Sequence, residues 1–206
     1  MDIREEVAKF LAAPENFEIA VDVSKRIDEA RHHIRKIFWE AAENKLVSRL
    51  AGHAAKKDWY VSRHLSPSEN YADLRIDALH TKESAGLGFA LQQENTDLRL
   101  YKGLCWTRAQ RNEPPTQPVL REFFTDFDRA QVWDSQWDWW PAYVDLDIQL
   151  GEDSKLLSIV QGGASKIAED TALQLWELFQ SYEQPMRDIN DYMAKHANEF
   201  LQDLDE

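Results

Sequence analysis

Ala72-Asp73-Leu74-Arg75-Ile76-Asp77-Ala78 is the stretch that decides the fold class. Apolar and charged residues alternate with period two, the pattern of a β-strand with one face in a core and the other in water. Leu87, Phe89 and Leu91 repeat the alternation. The polar turn Glu94-Asn95-Thr96-Asp97 then leads into Leu98-Arg99-Leu100-Tyr101-Lys102-Gly103-Leu104-Cys105-Trp106, a hairpin signature. With Trp59-Tyr60-Val61 ahead of them, these segments predict an antiparallel meander of four strands, and Tyr143, Leu146 and Ile148 predict a fifth.

Helical periodicity surrounds the strands. Ile3, Val7, Phe10 and Leu11 mark a short helix over 2–13, stopped before Pro14 because the residue before a proline disfavours helix. Ile27, Ala30, Ile34, Ile37, Phe38, Ala41, Ala42 and Leu46 mark a long one from Ser24, read as its N-cap, to Gly52. Val119 to Phe127 has a short helical pattern, and Leu156 to Val160 another, ended by Gly162-Gly163. Ile167, Thr171, Leu175, Leu178, Tyr182, Met186, Ile189, Met193, Ala197 and Phe200 predict a second long helix, with a kink or break at Pro185. The expected fold is α+β: an antiparallel sheet of about five strands packed against two long helices. It forms one domain over 1–206, with an internal boundary near the proline-rich stretch 111–118.

Length and composition agree with a folded chain. The 206 residues include 43% hydrophobic and 11% aromatic residues, too many for a disordered acidic chain despite the net charge of −13. The acid is unevenly spread. Residues 1–111 hold 18 Lys and Arg against 17 Asp and Glu, and residues 112–206 hold 6 against 20. One cysteine, Cys105, excludes an intrachain disulfide. With no signal-peptide pattern and no apolar run long enough to span a bilayer, a cytoplasmic protein is expected.

Tests for catalytic chemistry return little. Glu43-Asn44-Lys45 has the E-x-K form of a nuclease half-site but lies in a helical pattern, where its side chains read as a solvated pair. His32, His33, His53, His64, His80 and His196 lack metal-ligand spacing, and His80 reads as a core-edge histidine on the face of Leu74 and Ile76. Cys105 reads as a small buried thiol rather than a nucleophile. Gly162-Gly163 lacks the Lys-Ser/Thr of a phosphate loop. No catalytic residue, metal site or cofactor is predicted.

Two surfaces are candidates for binding. Trp133, Asp134, Trp137, Asp138, Trp139 and Trp140 interleave aromatics with acids, the composition of a surface for a basic protein partner or a cationic ligand. The same acids, with Asp126, Asp128, Asp145 and Asp147, also suit a mimic of the phosphate backbone. Lys25, Arg31, Arg35 and Lys36 gather cations on one helix, a candidate phosphate-facing patch through which nucleic acid could bind.

The layout as a whole resembles a known arrangement. Its carriers are Pro14-Glu15-Asn16-Phe17, Phe38-Trp39-Glu40, an isolated Trp59 strand, Gly86-Leu87-Gly88-Phe89, the Leu100 to Trp106 strand and Trp140-Pro141. It is similar to the region following the catalytic core in bacterial PD-(D/E)xK nuclease-superfamily proteins, many of them defence or mobile-element proteins. No strand here supplies the family's acid or its D/E-x-K, so the resemblance implies an accessory module without the nuclease. A non-catalytic recognition module is therefore expected. The alternatives are an acidic nucleic-acid mimic, or a metal-dependent nuclease whose carboxylates converge only in the fold.

Overall fold

The computed structural model describes residues 3–66, 71–82, 86–93, 98–107, 115–130, 133–136 and 139–197. The helices are α1 (Ile3–Ala12), α2 (Pro14–Ala51), α3 (Pro118–Ala130), α4 (Asp153–Ser158) and α5 (Ala164–Lys195). The strands are β1 (Trp59–Ser66), β2 (Tyr71–Ala78), β3 (Leu87–Gln93), β4 (Arg99–Trp106), β5 (Asp134–Gln136) and β6 (Trp140–Gln149). All six strands join one antiparallel sheet in the order β1-β2-β3-β4-β6-β5. The class is α+β, and the four-strand meander stands as its sequence predicts. The strand the sequence left out is β5, three residues long and too short to carry an alternation. The expected turn 94–97 lies outside the described residues, as do 111–114 of the proline-rich stretch and Phe200 of the second long helix.

One face of the sheet carries the two long helices. Phe38, Trp39, Ala42, Leu46 and Leu50 of α2, and Ala168, Ala172, Leu175, Trp176 and Phe179 of α5, are buried against Leu74, Ile76, Phe89, Leu91 and Leu104. Trp59, Phe89 and Phe179 meet ring to ring at 5.3–5.9 Å, in the tilted and edge-to-face arrangements aromatic quadrupoles favour. Asn190 of α5 is fully buried, accepts from Leu87 N–H at 2.8 Å and donates to Leu87 C=O at 2.9 Å, which fixes the helix on β3. Such a residue closes both backbone groups of a strand end that would otherwise be orphaned. The buried cluster draws on residues from Phe38 to Met193, on both sides of the 111–118 stretch.

Three helix boundaries differ from their sequence reading. α2 begins at Pro14, ten residues before Ser24, because proline is well suited to the first turn of a helix, and the extended Ala13 (φ −64°, ψ 137°) makes the break with α1. Gly162-Gly163 does not end the helical run. Residues Ile159–Gly163 form a wide π turn that leads into α5, and a Cβ at Gly163 would stand 2.5 Å from the Ser158 carbonyl, so the glycine makes room for the turn. α5 passes through Pro185 without a break. His80 is not on a strand face: it sits in the turn Leu79–Lys82, 3.7 Å from Asp191 of α5.

Candidate functional site

The other face of the sheet carries none of the core made with α2 and α5, and its centre is nonetheless buried. The alternation over 72–78 suggests that Asp73, Arg75 and Asp77 stand in water. Asp73 and Asp77 are instead only 4% and 5% exposed. The neighbouring strands explain this. Next to these residues lie Gly88, Ala90 and Gln92 on β3, then Tyr101, Gly103 and Cys105 on β4, with Tyr143 following on β6. Small residues at Gly88, Ala90 and Gly103 make a trough, and the charged side chains of β2 lie down into it.

The trough has a polar end and an aromatic end. At the polar end, a depression of about 520 Å³ is lined by Tyr60, Ser62, Arg63, His64, Tyr71, Asp73, Arg75, Asp77, Thr81 and Thr107. At the aromatic end, one of about 330 Å³ is lined by Gln92, Tyr101, Trp139 and Trp140, and shares Tyr71 and Arg75 with the first. Trp140 packs over Ala90 and Cys105, with its ring 4.8 Å from that of Tyr101. Trp139 is 42% exposed at the rim.

Asp73 is engaged within the protein: the Tyr71 hydroxyl donates to its Oδ2 at 2.6 Å, and Arg75 Nε and Nη2 approach the same oxygen at 3.2 and 3.1 Å. Burial raises the Tyr71 pKa, and the Asp73 carboxylate that it bonds raises it further. Asp77 is different. Ser62 supplies it one hydrogen bond, but its Oδ1 has no partner and lies against Gly88, where a Cβ would stand 1.9 Å away. Burial pushes its carboxyl up to about 6, with Arg75 opposing the shift. Burial also pushes the Cys105 thiol up to about 12, so Cys105 is neutral at physiological pH, the state of a buried structural thiol. The trough thus combines two carboxyls, the Arg75 guanidinium, Arg63 (which pairs with Glu43) and a wall of indole and phenol rings. Chemically it can accept hydrogen bonds from a donor-rich head group and stack a flat or alkyl body.

The residues singled out from sequence divide between the two sides of the sheet. Trp139 and Trp140 reach the trough. Trp133 packs towards the helices, its ring 4.6 Å from Phe127 and its Nε1 buried without a partner. Asp134 is exposed on β5 opposite Tyr143. Trp137 and Asp138 lie outside the described residues. Of the mimic's acids, Asp145 accepts from Arg99 at 2.9 Å.

The basic helix is largely committed within the fold. Arg31 places Nε and Nη2 on the two oxygens of Asp153, both at 3.0 Å, and Nη1 on Asp28 at 3.1 Å, tying α2 to α4. This fork lowers the Asp153 pKa. Arg35 is half-buried, and its pKa is lowered by burial and by Arg31. Lys36 lies 3.9 Å from Glu40, and Lys25 is exposed. The E-x-K residues of α2 diverge: Glu43 lies 3.1 Å from Arg63 of β1, and Lys45 pairs with Glu169 of α5. They join elements rather than facing water as a local pair. Among the described residues no three His, Cys, Asp or Glu converge as metal ligands, and no helix is long and apolar enough to cross a membrane.

Sequence reasoning missed Tyr71, Asp73, Arg75 and Asp77. The available signal was three charges at i, i+2 and i+4 of one strand, opposite neighbours whose outward residues are glycine and alanine. Comparisons with protein-family models, curated proteins and solved structures each returned no match.

Proposed function

We propose that this protein is a non-catalytic recognition module that binds a basic segment of a protein partner in the trough on the sheet face opposite α2 and α5. The observation that carries the reading is the Asp73, Arg75, Asp77 row, two buried carboxyls and a half-buried guanidinium lining the polar end of the trough, with Asp77 Oδ1 held against Gly88 without a partner. Charged groups buried without full pairing are costly, and such arrangements concentrate where a ligand completes them. The row has two potential anions against one cation. The chain's net charge of −13 steers cations towards it. A lysine or arginine side chain fits both ends: its cation beside Asp77 or over the rings of Trp139 and Tyr101, its alkyl stem against Trp140.

The resemblance to the accessory region of PD-(D/E)xK proteins accords with this role, the partner then being a protein of a bacterial nuclease or defence system. Glu43 and Lys45, the only E-x-K weighed for catalysis, are held by Arg63 and Glu169, which supports a structural use for both.

Titration of the chain with a lysine- and arginine-rich peptide, read by tryptophan fluorescence, tests the reading. A saturable change is expected that weakens in Trp139→Ala and in Asp77→Asn and is absent with a glutamate-rich peptide of equal length. An equal response to both peptides would overturn it.

A further inference from the structure

The two ends of the trough differ in charge, and the difference bears on which side chain each can seat. The polar end holds both carboxyls, Asp73 and Asp77. The aromatic end has no carboxylate in its lining, and its one charged group is Arg75, set among tyrosine and tryptophan rings. Asp73 holds Arg75 in place through Nε and Nη2, and a guanidinium keeps its charge at any working pH. A lysine cation brought to the aromatic end therefore meets a like charge, which is costly. A neutral ring meets a guanidinium and the edges and faces of other rings, contacts that favour it.

Two further observations describe the group that fits there. Gln92 lines this end and is half-buried, yet its side-chain amide makes no hydrogen bond among the described residues. Trp139 keeps 42% of its surface exposed at the rim, where one more ring would cover it. The register sets the separation of the two seats. Gln92 pairs with Asp73, and Asp73 is four residues from Asp77 on β2, roughly 13 Å along the strand. That is more than one side chain spans. An extended segment running along the strands repeats its faces every two residues, so side chains four apart share a face and match this separation.

We propose, resting on the reading that the trough binds a basic segment, that this segment carries a tyrosine four residues from its basic residue. The cation lies at the polar end beside Asp77, and the phenol ring enters the cavity of about 330 Å³ against Trp139, Trp140 and Tyr101. Its hydroxyl bonds to the Gln92 amide, which both donates and accepts. Arg75 divides the two seats, so the order of the two side chains fixes the direction in which the segment crosses the sheet.

Isothermal titration calorimetry of the full chain with four extended basic peptides tests this. The parent has lysine and tyrosine four residues apart, and the others carry phenylalanine, alanine or lysine in place of the tyrosine. The alanine peptide is expected to bind roughly tenfold more weakly than the parent, having lost the ring. The phenylalanine peptide is expected to lose roughly threefold, the worth of one hydrogen bond. The lysine peptide should bind no more tightly than the alanine peptide despite its extra charge. In Gln92→Ala the difference between tyrosine and phenylalanine should vanish while affinity for the alanine peptide is unchanged. Equal affinity for the tyrosine and alanine peptides, tightest binding by the lysine peptide, or a tyrosine preference that survives Gln92→Ala would each overturn this inference and leave the trough a seat for basic segments. Binding by none of the four would overturn both.

Discussion

The centres of both sheet faces are buried, for different reasons. On the helix-covered face, Leu74, Ile76, Phe89 and Leu91 lie under α2 and α5, and their burial is ordinary hydrophobic packing. On the other face, Asp73 and Asp77 sink between small residues of β3 and β4, apart from the core that α2 and α5 make. The first arrangement is mainly apolar, with the Nε1 atoms of Trp59 and Trp133 buried in it without a partner. The second leaves Asp77 Oδ1 without a partner and has open volume beside it. Apolar packing builds the scaffold, and buried charge beside open volume is the feature that supports the proposed binding at the trough.

Substitutions on the two faces should therefore differ in kind. The largest effect is expected from Phe89→Ala, which opens a cavity among Trp59 and Phe179 and should cost about 3–5 kcal/mol in chemical denaturation. Asn190→Ala leaves a buried N–H and C=O of Leu87 unpaired and should cost about 1–3 kcal/mol. A cost below 0.5 kcal/mol for either would show that the helix-covered face is not the rigid one.

Asp77→Asn should act in the opposite direction. Its carboxyl titrates at about 6 in the folded protein, against about 3.9 in an unfolded chain. The native state therefore holds this proton more tightly, and the group favours folding progressively more as pH falls from above 6 towards 4. At pH 7 its ionised form opposes folding. Asp77→Asn should stabilise by up to about 2 kcal/mol at pH 7 and flatten the pH dependence between 4 and 7. Denaturation midpoints of both proteins across that range check the sign, and a destabilised Asn variant would mean that the Asp77 charge is satisfied. The smallest effect on stability is expected from Trp139→Ala, within about 0.5 kcal/mol because the ring is at the rim, alongside a clear loss of peptide binding.

What the sequence disclosed follows the same division. The alternation of Ala72, Leu74, Ile76 and Ala78 and the spacing of Phe38, Ala42 and Leu46 are repeated signals. A repeated signal locates a core face, so the antiparallel sheet and its two long helices were legible. Asp73 and Asp77 were misjudged because charge on the outer face of an amphipathic strand ordinarily means water. Their burial depends on Gly88, Ala90 and Gly103, which lie next to them only after the strands pair. The Trp-rich segment was divided for a similar reason: Trp133 precedes β5 and faces the helices, whereas Trp139 and Trp140 open β6 and face the trough. Periodicity assigns faces within one strand, but it does not indicate how two consecutive short strands divide a run of tryptophans.

The most direct test of the trough as a ligand seat is amide chemical-shift mapping of the ¹⁵N-labelled chain during titration with the basic peptide. The account predicts that the largest shifts fall on the outward residues of β2, β3 and β4, around Tyr71, Arg75, Gln92 and Tyr101, and on Trp139 and Trp140. Shifts concentrated on α2 and α5, or scattered over exposed acids with no cluster at Asp77, would contradict it.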